Sequence, residues 1–279
     1  MIKIVEIYKQ VFSVLQKSPT ILFLFLILGI FDAIALTVLF LAPIPPISTI
    51  LAPIIRTFWS EQYLHYPSNF LLLPKLFGHA HFVISTVVGV FVTGLIIKKI
   101  EAEESGQRIS TFSAAGDIFK KYFSLVIVWL ISYGIFTVSL KGLLYVMPLN
   151  FWIQMSGSFI LSLLIQSILA FLLPSLVIVN QNFFYAVWCG LKVGAQNIIL
   201  MSGIFFIPMF LILALSIAKM YTPLFVKGFY PEAVLWILSG GIVITLVVDI
   251  LITTSATLVF LKGNYNNNAR NKNNFNRNA

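Results

Sequence analysis

Charge is scarce in this chain. Asp, Glu, Lys and Arg make up 10% of its 279 residues, where soluble proteins carry about 25%. A single cysteine, Cys189, excludes a disulfide-held secreted domain. There is no G-x-x-x-x-G-K-[ST] loop, no H-E-x-x-H and no G-x-S-x-G. P-loop nucleotide binding, zinc-peptidase and nucleophile-elbow chemistry are therefore not expected, and no enzyme activity or cofactor is. What the chain has in plenty is apolar: 59% of its residues are hydrophobic, 26 of them phenylalanine. A soluble fold of this length cannot bury so much, and a disordered chain does not carry it. The composition implies an integral membrane protein.

A hydrocarbon core about 30 Å thick takes roughly 20 apolar residues as a helix. Six stretches qualify, about 20–42, 80–97, 122–140, 157–179, 198–218 and 233–261. Their apolar runs are continuous, which predicts helices and not the alternating strands of a barrel. The first run is expected to be a span and not a removable leader. Lys3, Lys9 and Lys17 precede it, it is too long for the apolar region of a signal peptide, and it lacks an A-x-A site.

Lysine and arginine give the orientation, because segments on the cytoplasmic side retain positive charge. With the N-terminus inside, thirteen such residues fall on inner segments, among them Lys98, Lys99, Arg108, Lys192, Lys262 and Arg277. Five fall outside, namely Arg56, Lys75, Lys141, Lys219 and Lys227. Both termini are thus expected in the cytoplasm of a bacterial plasma membrane. Most of the formal charge of +9 then reports topology and suits anionic headgroups. It does not imply a nucleic-acid partner.

Residues 2–17 read as an amphipathic helix. Ile4, Ile7, Val11, Val14 and Leu15 share one face, and Lys3, Glu6, Gln10, Ser13 and Lys17 the other. Such a lysine-edged stripe ahead of a span is expected to lie on the inner leaflet. Residues 110–121 and 183–193 have the same character, the latter behind an Asn182 cap. Aligning Tyr8, Phe112 and Phe184 also aligns Leu15, Phe119 and Leu191, and Ala114 meets Ala186. The chain therefore reads as three units, each a cytoplasmic-side surface helix followed by two spans. The first outer loop, 43–79, is apolar and proline-broken, and it is expected to lie at the headgroups with Trp59, Tyr63 and Tyr66. The tail, 262–279, is rich in asparagine and is expected to be disordered.

The segments 8–19, 112–122 and 184–197, each an aromatic- or alanine-bearing surface helix feeding a span, resemble a broad bacterial group of six-span proteins. That group includes the membrane domain attached to some glycerophosphodiester phosphodiesterases. The stretch NFFYAVWCGLKVGAQN is closest to the group's pattern. The likeness covers most of residues 1–261 in residue type and spacing. No phosphodiesterase domain accompanies it, so the resemblance implies architecture and no reaction.

Ionisable groups inside spans are functional candidates, since a bare charge in hydrocarbon is costly. Two stand there, Asp32 and Asp249, each about 18 Å from the inner boundary at 1.5 Å per residue. Tyr133 and Gln166 fall near the same level. Two readings stay open: a protonated Asp fastening helices through Thr, Tyr or Gln, or a carboxylate pair holding a proton or cation. The three histidines, His65, His79 and His81, all read as outer, interfacial residues, and no metal site is expected. The charged inner stretch contributes Glu101, Glu103, Glu104, Lys120 and Lys121 as candidates for docking a soluble partner. Gly29/Ala33, Ser85/Gly89 and Ser158/Ser162 are spaced for close helix crossing.

The expected function is non-enzymatic: a scaffold or accessory subunit in lipid or envelope handling, with membrane lipid and other membrane or cytoplasmic subunits as partners. The alternatives are a permease energised by a separate ATPase docking at 98–121, and an ion-coupled carrier using Asp32 and Asp249.

Overall fold

A computed structural model describes residues 2–275 apart from 108, 148, 149, 180 and 229. Of residues 2 and 264–275 it describes the backbone alone. The order is α1 (Ile2–Lys17), α2 (Pro19–Phe40), α3 (Ser48–Phe58), α4 (Asn69–Ile84), α5 (Val90–Glu104), α6 (Thr111–Val146), α7 (Phe151–Leu169), α8 (Leu172–Ile178), α9 (Phe183–Gln196), α10 (Ile198–Met220), α11 (Thr222–Lys227) and α12 (Ala233–Phe275). A 3₁₀ turn spans Glu61–Leu64 and a π-helical turn Ser85–Gly89. Among the described residues there is no strand. Six helical stretches are long and apolar enough to cross a membrane: Pro19–Phe40, Asn69–Glu104, Thr111–Val146, Phe151–Ile178, Ile198–Lys227 and Ala233–Gly263. The fold is that of an all-helical, multi-pass membrane protein.

Several boundaries differ from the sequence reading. The second stretch starts at Asn69 and not near residue 80, because apolar residues and a single proline, Pro74, allow helix through the end of the proline-rich loop. The segment 110–121 is no separate element but the start of α6, since nothing between Lys121 and Tyr122 breaks the chain and propagation costs less than a new nucleus. The break in the fourth stretch falls at Ala170–Phe171. Pro174, four residues on, has no N–H for the Ala170 carbonyl and its ring crowds that turn. Helix also runs on through the asparagine-rich stretch to Phe275, where no regular structure was expected. Residues 276–279 of that tail, with Arg277, and Arg108 lie outside the described residues.

The chain forms two compact units. One comprises Met1–Leu24, Val90–Met209 and Asp249–Ala279. Its centre is aliphatic, with Ile96, Ile97, Ile100, Leu125 and Ile118 essentially without exposure. Small residues let its helices touch. A Cβ on Gly194 would stand 2.5 Å from the Ile168 carbonyl oxygen, and one on Gly190 3.0 Å from that of Phe171, so α9 lies on the backbones of α7 and the turn before α8. On α1, Ile7, Val11, Val14 and Leu15 are buried, and the Tyr8 hydroxyl donates to the Ile204 carbonyl of α10. Burial raises the pKa of that hydroxyl.

The aligned segments agree only in part. Phe112 and Phe184 are both exposed, at 92% and 84%, and Ala114 and Ala186 both buried. The α1 segment departs: Tyr8 is half-buried, and Leu15 is buried where Phe119 is exposed. Asn182 stands at the N-cap of α9 with extended ψ, but its side chain makes no capping bond.

The second unit comprises Phe25–Gly89 and Phe210–Val248. Leu36, Phe70, Phe77, Val234 and Leu238 form its core. A smaller cluster, Ala42, Ile55 and Leu72, seats α3 on α4. Gly29 admits Leu246 against α2, where a Cβ would come within 2.4 Å of its Cδ1. Ser85 and Gly89, spaced as a crossing pair, instead bound the π-helical turn.

Candidate functional site

Within the first unit, α5, α6, α7, α8 and α12 enclose a cavity of about 330 Å³ at the broken fourth stretch. Gln166 lies in the last turn of α7, where its carbonyl accepts from the Ala170 N–H, and Ala170 at the break lines the same cavity. Tyr133 of α6 meets it there, so two sequence candidates line one cavity. Thr93 and Thr253 add hydroxyls, and Trp129 stacks on Tyr133 with centroids 5.5 Å apart and planes 9° from parallel. The Ser132 hydroxyl in the wall donates to the Val128 carbonyl at 2.7 Å. The remaining wall is apolar, Phe136 with aliphatic side chains, and no Asp, Glu, Lys, Arg or His side chain contributes to it. Tyr133 is 45% exposed, so the cavity opens at the outer surface of α6. Its chemistry is that of neutral hydrogen bonding against a flat aromatic wall.

The two aspartates have different surroundings. Asp32 is 5% exposed and belongs to the second unit, Asp249 to the first. Both carboxylate oxygens of Asp32 lie 3.0 Å from His81 Nδ1. His81 is therefore no boundary residue: it stands twelve positions into α4, and the helix turns to π geometry four residues later. Its Nε2 is 3.5 Å from the Ser85 hydroxyl, and its ring lies 6.2 Å from Phe77. A hydrogen-bonded Asp–His pair is the partnership that sequence reasoning missed. Its signal was the helical start at Asn69, which brings residue 81 to Asp32's depth. Asp249 is half-buried one turn before Thr253 and takes part in interactions of its own. His79 Nδ1 meets the Lys75 carbonyl at 2.7 Å and His65 is exposed. Among the described residues, no three His, Cys, Asp or Glu side chains gather as a metal would need.

Of the five docking candidates, two are engaged inside the protein. Glu101 accepts from Lys98 at 2.7 Å. Lys121 Nζ donates to the Leu176 and Val177 carbonyls at 3.1 and 3.0 Å, capping the C-terminal end of α8 as a cation favours. Glu103, Glu104 and Lys120 are exposed. The charged inner loop expected over 98–121 contracts to 105–110, because helix reaches Glu104 and resumes at Thr111. A hollow of about 230 Å³ lies beside Lys98, Asp117, Lys120 and Lys121. With Lys98 and Lys121 engaged, and Asp117 and the α8 carbonyl end beside them, its positive charge is largely spent.

Besides Tyr8, two groups outside the spans are shifted. Burial pushes the Cys189 thiol up, with Lys192 pulling the other way. The Tyr66 hydroxyl donates to Glu232 at 3.1 Å, which raises its pKa because phenolate would lose that acceptor.

No family model, no curated protein and no solved structure matches the chain.

Proposed function

We propose that this chain is a non-enzymatic protein of a bacterial plasma membrane, a scaffold or accessory subunit in lipid or envelope handling, whose cavity receives part of a lipid. The cavity carries this reading. It is mostly apolar, opens where α6 is exposed, and is bounded by residues inside helices long enough to span. Its volume sits at the low end of ligand pockets, about 300–1,000 Å³, enough for a headgroup or a chain segment and not a whole lipid.

Charge supports both termini being cytoplasmic. Outside the six stretches, segments on the N-terminal side carry eight Lys and Arg, and those on the other side only Arg56. The family resemblance is consistent with this architecture. The test is retention of lipid. Purified in mild detergent, the wild type is expected to hold a lipid by native mass spectrometry that Leu173→Trp, which fills the cavity, does not. Equal retention by folded, monodisperse preparations of both ends the reading.

A second reading, the ion-coupled carrier, is favoured by the Asp32–His81 pair. If the pair handles a proton, Asp32→Asn abolishes proton uptake driven by a membrane potential in proteoliposomes while leaving expression and melting temperature intact. If it only fastens α2 to α4, Asp32→Asn leaves uptake unchanged, and Asp32→Leu lowers the melting temperature while Asp32→Asn holds it.

A further inference from the structure

The cavity's wall also says which lipid it favours. Five neutral hydrogen-bonding side chains converge on it: Thr93, Ser132, Tyr133, Gln166 and Thr253. A sixth group is backbone, the Ala170 carbonyl, whose helical donor is missing because residue 174 is proline. Each of the five side chains stands at least ten residues, about 15 Å of helix, inside the nearer end of its stretch. None of the lining side chains carries positive charge. On α12 the ionisable neighbour one turn from Thr253 is Asp249, an acid on the same helical face.

These facts bear differently on two kinds of lipid head. A phosphate drawn into this space would lose its water without meeting a cation, and it would approach a carboxyl group. A head bearing hydroxyls and ester carbonyls meets a donor in the Gln166 amide and acceptors in the threonine oxygens and the Ala170 carbonyl. Its flat ester groups also suit the Trp129–Tyr133 wall. Resting on the reading that the cavity receives lipid, we infer that it selects a lipid with an uncharged hydroxyl- and ester-bearing head, of the diacylglycerol type, over phospholipids.

The experiment offers the detergent-purified full chain dioleoylglycerol and dioleoylphosphatidic acid in competition. The two differ only by the phosphate, and native mass spectrometry counts what is retained. Dioleoylglycerol is expected to win by about tenfold or more. Gln166→Leu should reduce that preference roughly five- to tenfold, the weight of one net hydrogen bond, without a change in melting temperature. Thr253→Val provides a second, smaller change in the same direction. Equal retention of both lipids by the wild type, with both lost in Leu173→Trp, overturns the headgroup selection and leaves the lipid cavity standing. Retention of neither above the Leu173→Trp level overturns both.

Discussion

Single side chains in this protein are tolerated by what stands next to them. Asp32 is almost fully buried, and it is held there by a histidine that matches both its oxygens. Cys189 is the opposite case, a group whose surroundings suppress its chemistry. Burial disfavours the thiolate, and Lys192 compensates only in part. Thiolate is the reacting form, so a raised pKa keeps the reactive fraction small at neutral pH and lets it grow about tenfold per pH unit while the pH stays below the pKa. Alkylation of native Cys189 by iodoacetamide, followed by mass, should therefore be slow near neutrality and climb steadily with pH. In denaturing detergent the same thiol should react faster at each neutral pH. A native rate that does not respond to pH would contradict this. Asp32 and Cys189 were not equally legible. Cys189's uniqueness is plain from the chain, but His81's partnership depended on where its helix begins, and an eleven-residue error there moved it from the interior to a boundary.

Among the elements, apolar runs located every span, because hydrophobic length is what the membrane selects. The ends were harder. Neither 110–121 nor the asparagine-rich stretch is parted from its span by a proline, so the first joined α6 and the second continued α12. Depth counting sets Tyr133 and Gln166 near the level of the two aspartates, and both line the cavity. The wall between them depends on Pro174 breaking the fourth stretch, which depth counting does not include. The sequence reading also passed over Gly190 and Gly194, four apart on α9, where α9 lies on α7 and on the turn before α8. A methyl at residue 194 meets a backbone oxygen, which cannot rotate away as a side chain does. Gly194→Ala should thus destabilise the protein by about 1–3 kcal/mol, read as a lower melting temperature in detergent. Gly116→Ala, where a Cβ meets nothing within 4 Å, should be neutral or slightly stabilising through helix propensity. Equal effects at the two sites would remove the argument for close backbone packing.

For the whole molecule, the remaining question is which way it faces, and here composition is a stronger guide than any contact. An even number of spans leaves both ends on one side, so one asymmetry decides everything. Eight cations against one outside the apolar stretches is a large imbalance over short connections, where the positive-inside rule operates most firmly. The same orientation would set the exposed aromatics Phe112, Phe184 and Trp188 on the cytoplasmic side, at the level where amphipathic helices meet headgroups. The prediction is made in a Cys189→Ser background with single new cysteines at Phe112→Cys and Tyr230→Cys, both at exposed positions. An impermeant maleimide applied to intact cells should label the variant at 230 and spare the one at 112 until the cells are opened. The reverse pattern would place the basic segments outside, against the charge rule. The Asn-rich tail and α9 would then both lie on the outer face, and an accessory role toward cytoplasmic subunits would be lost with them.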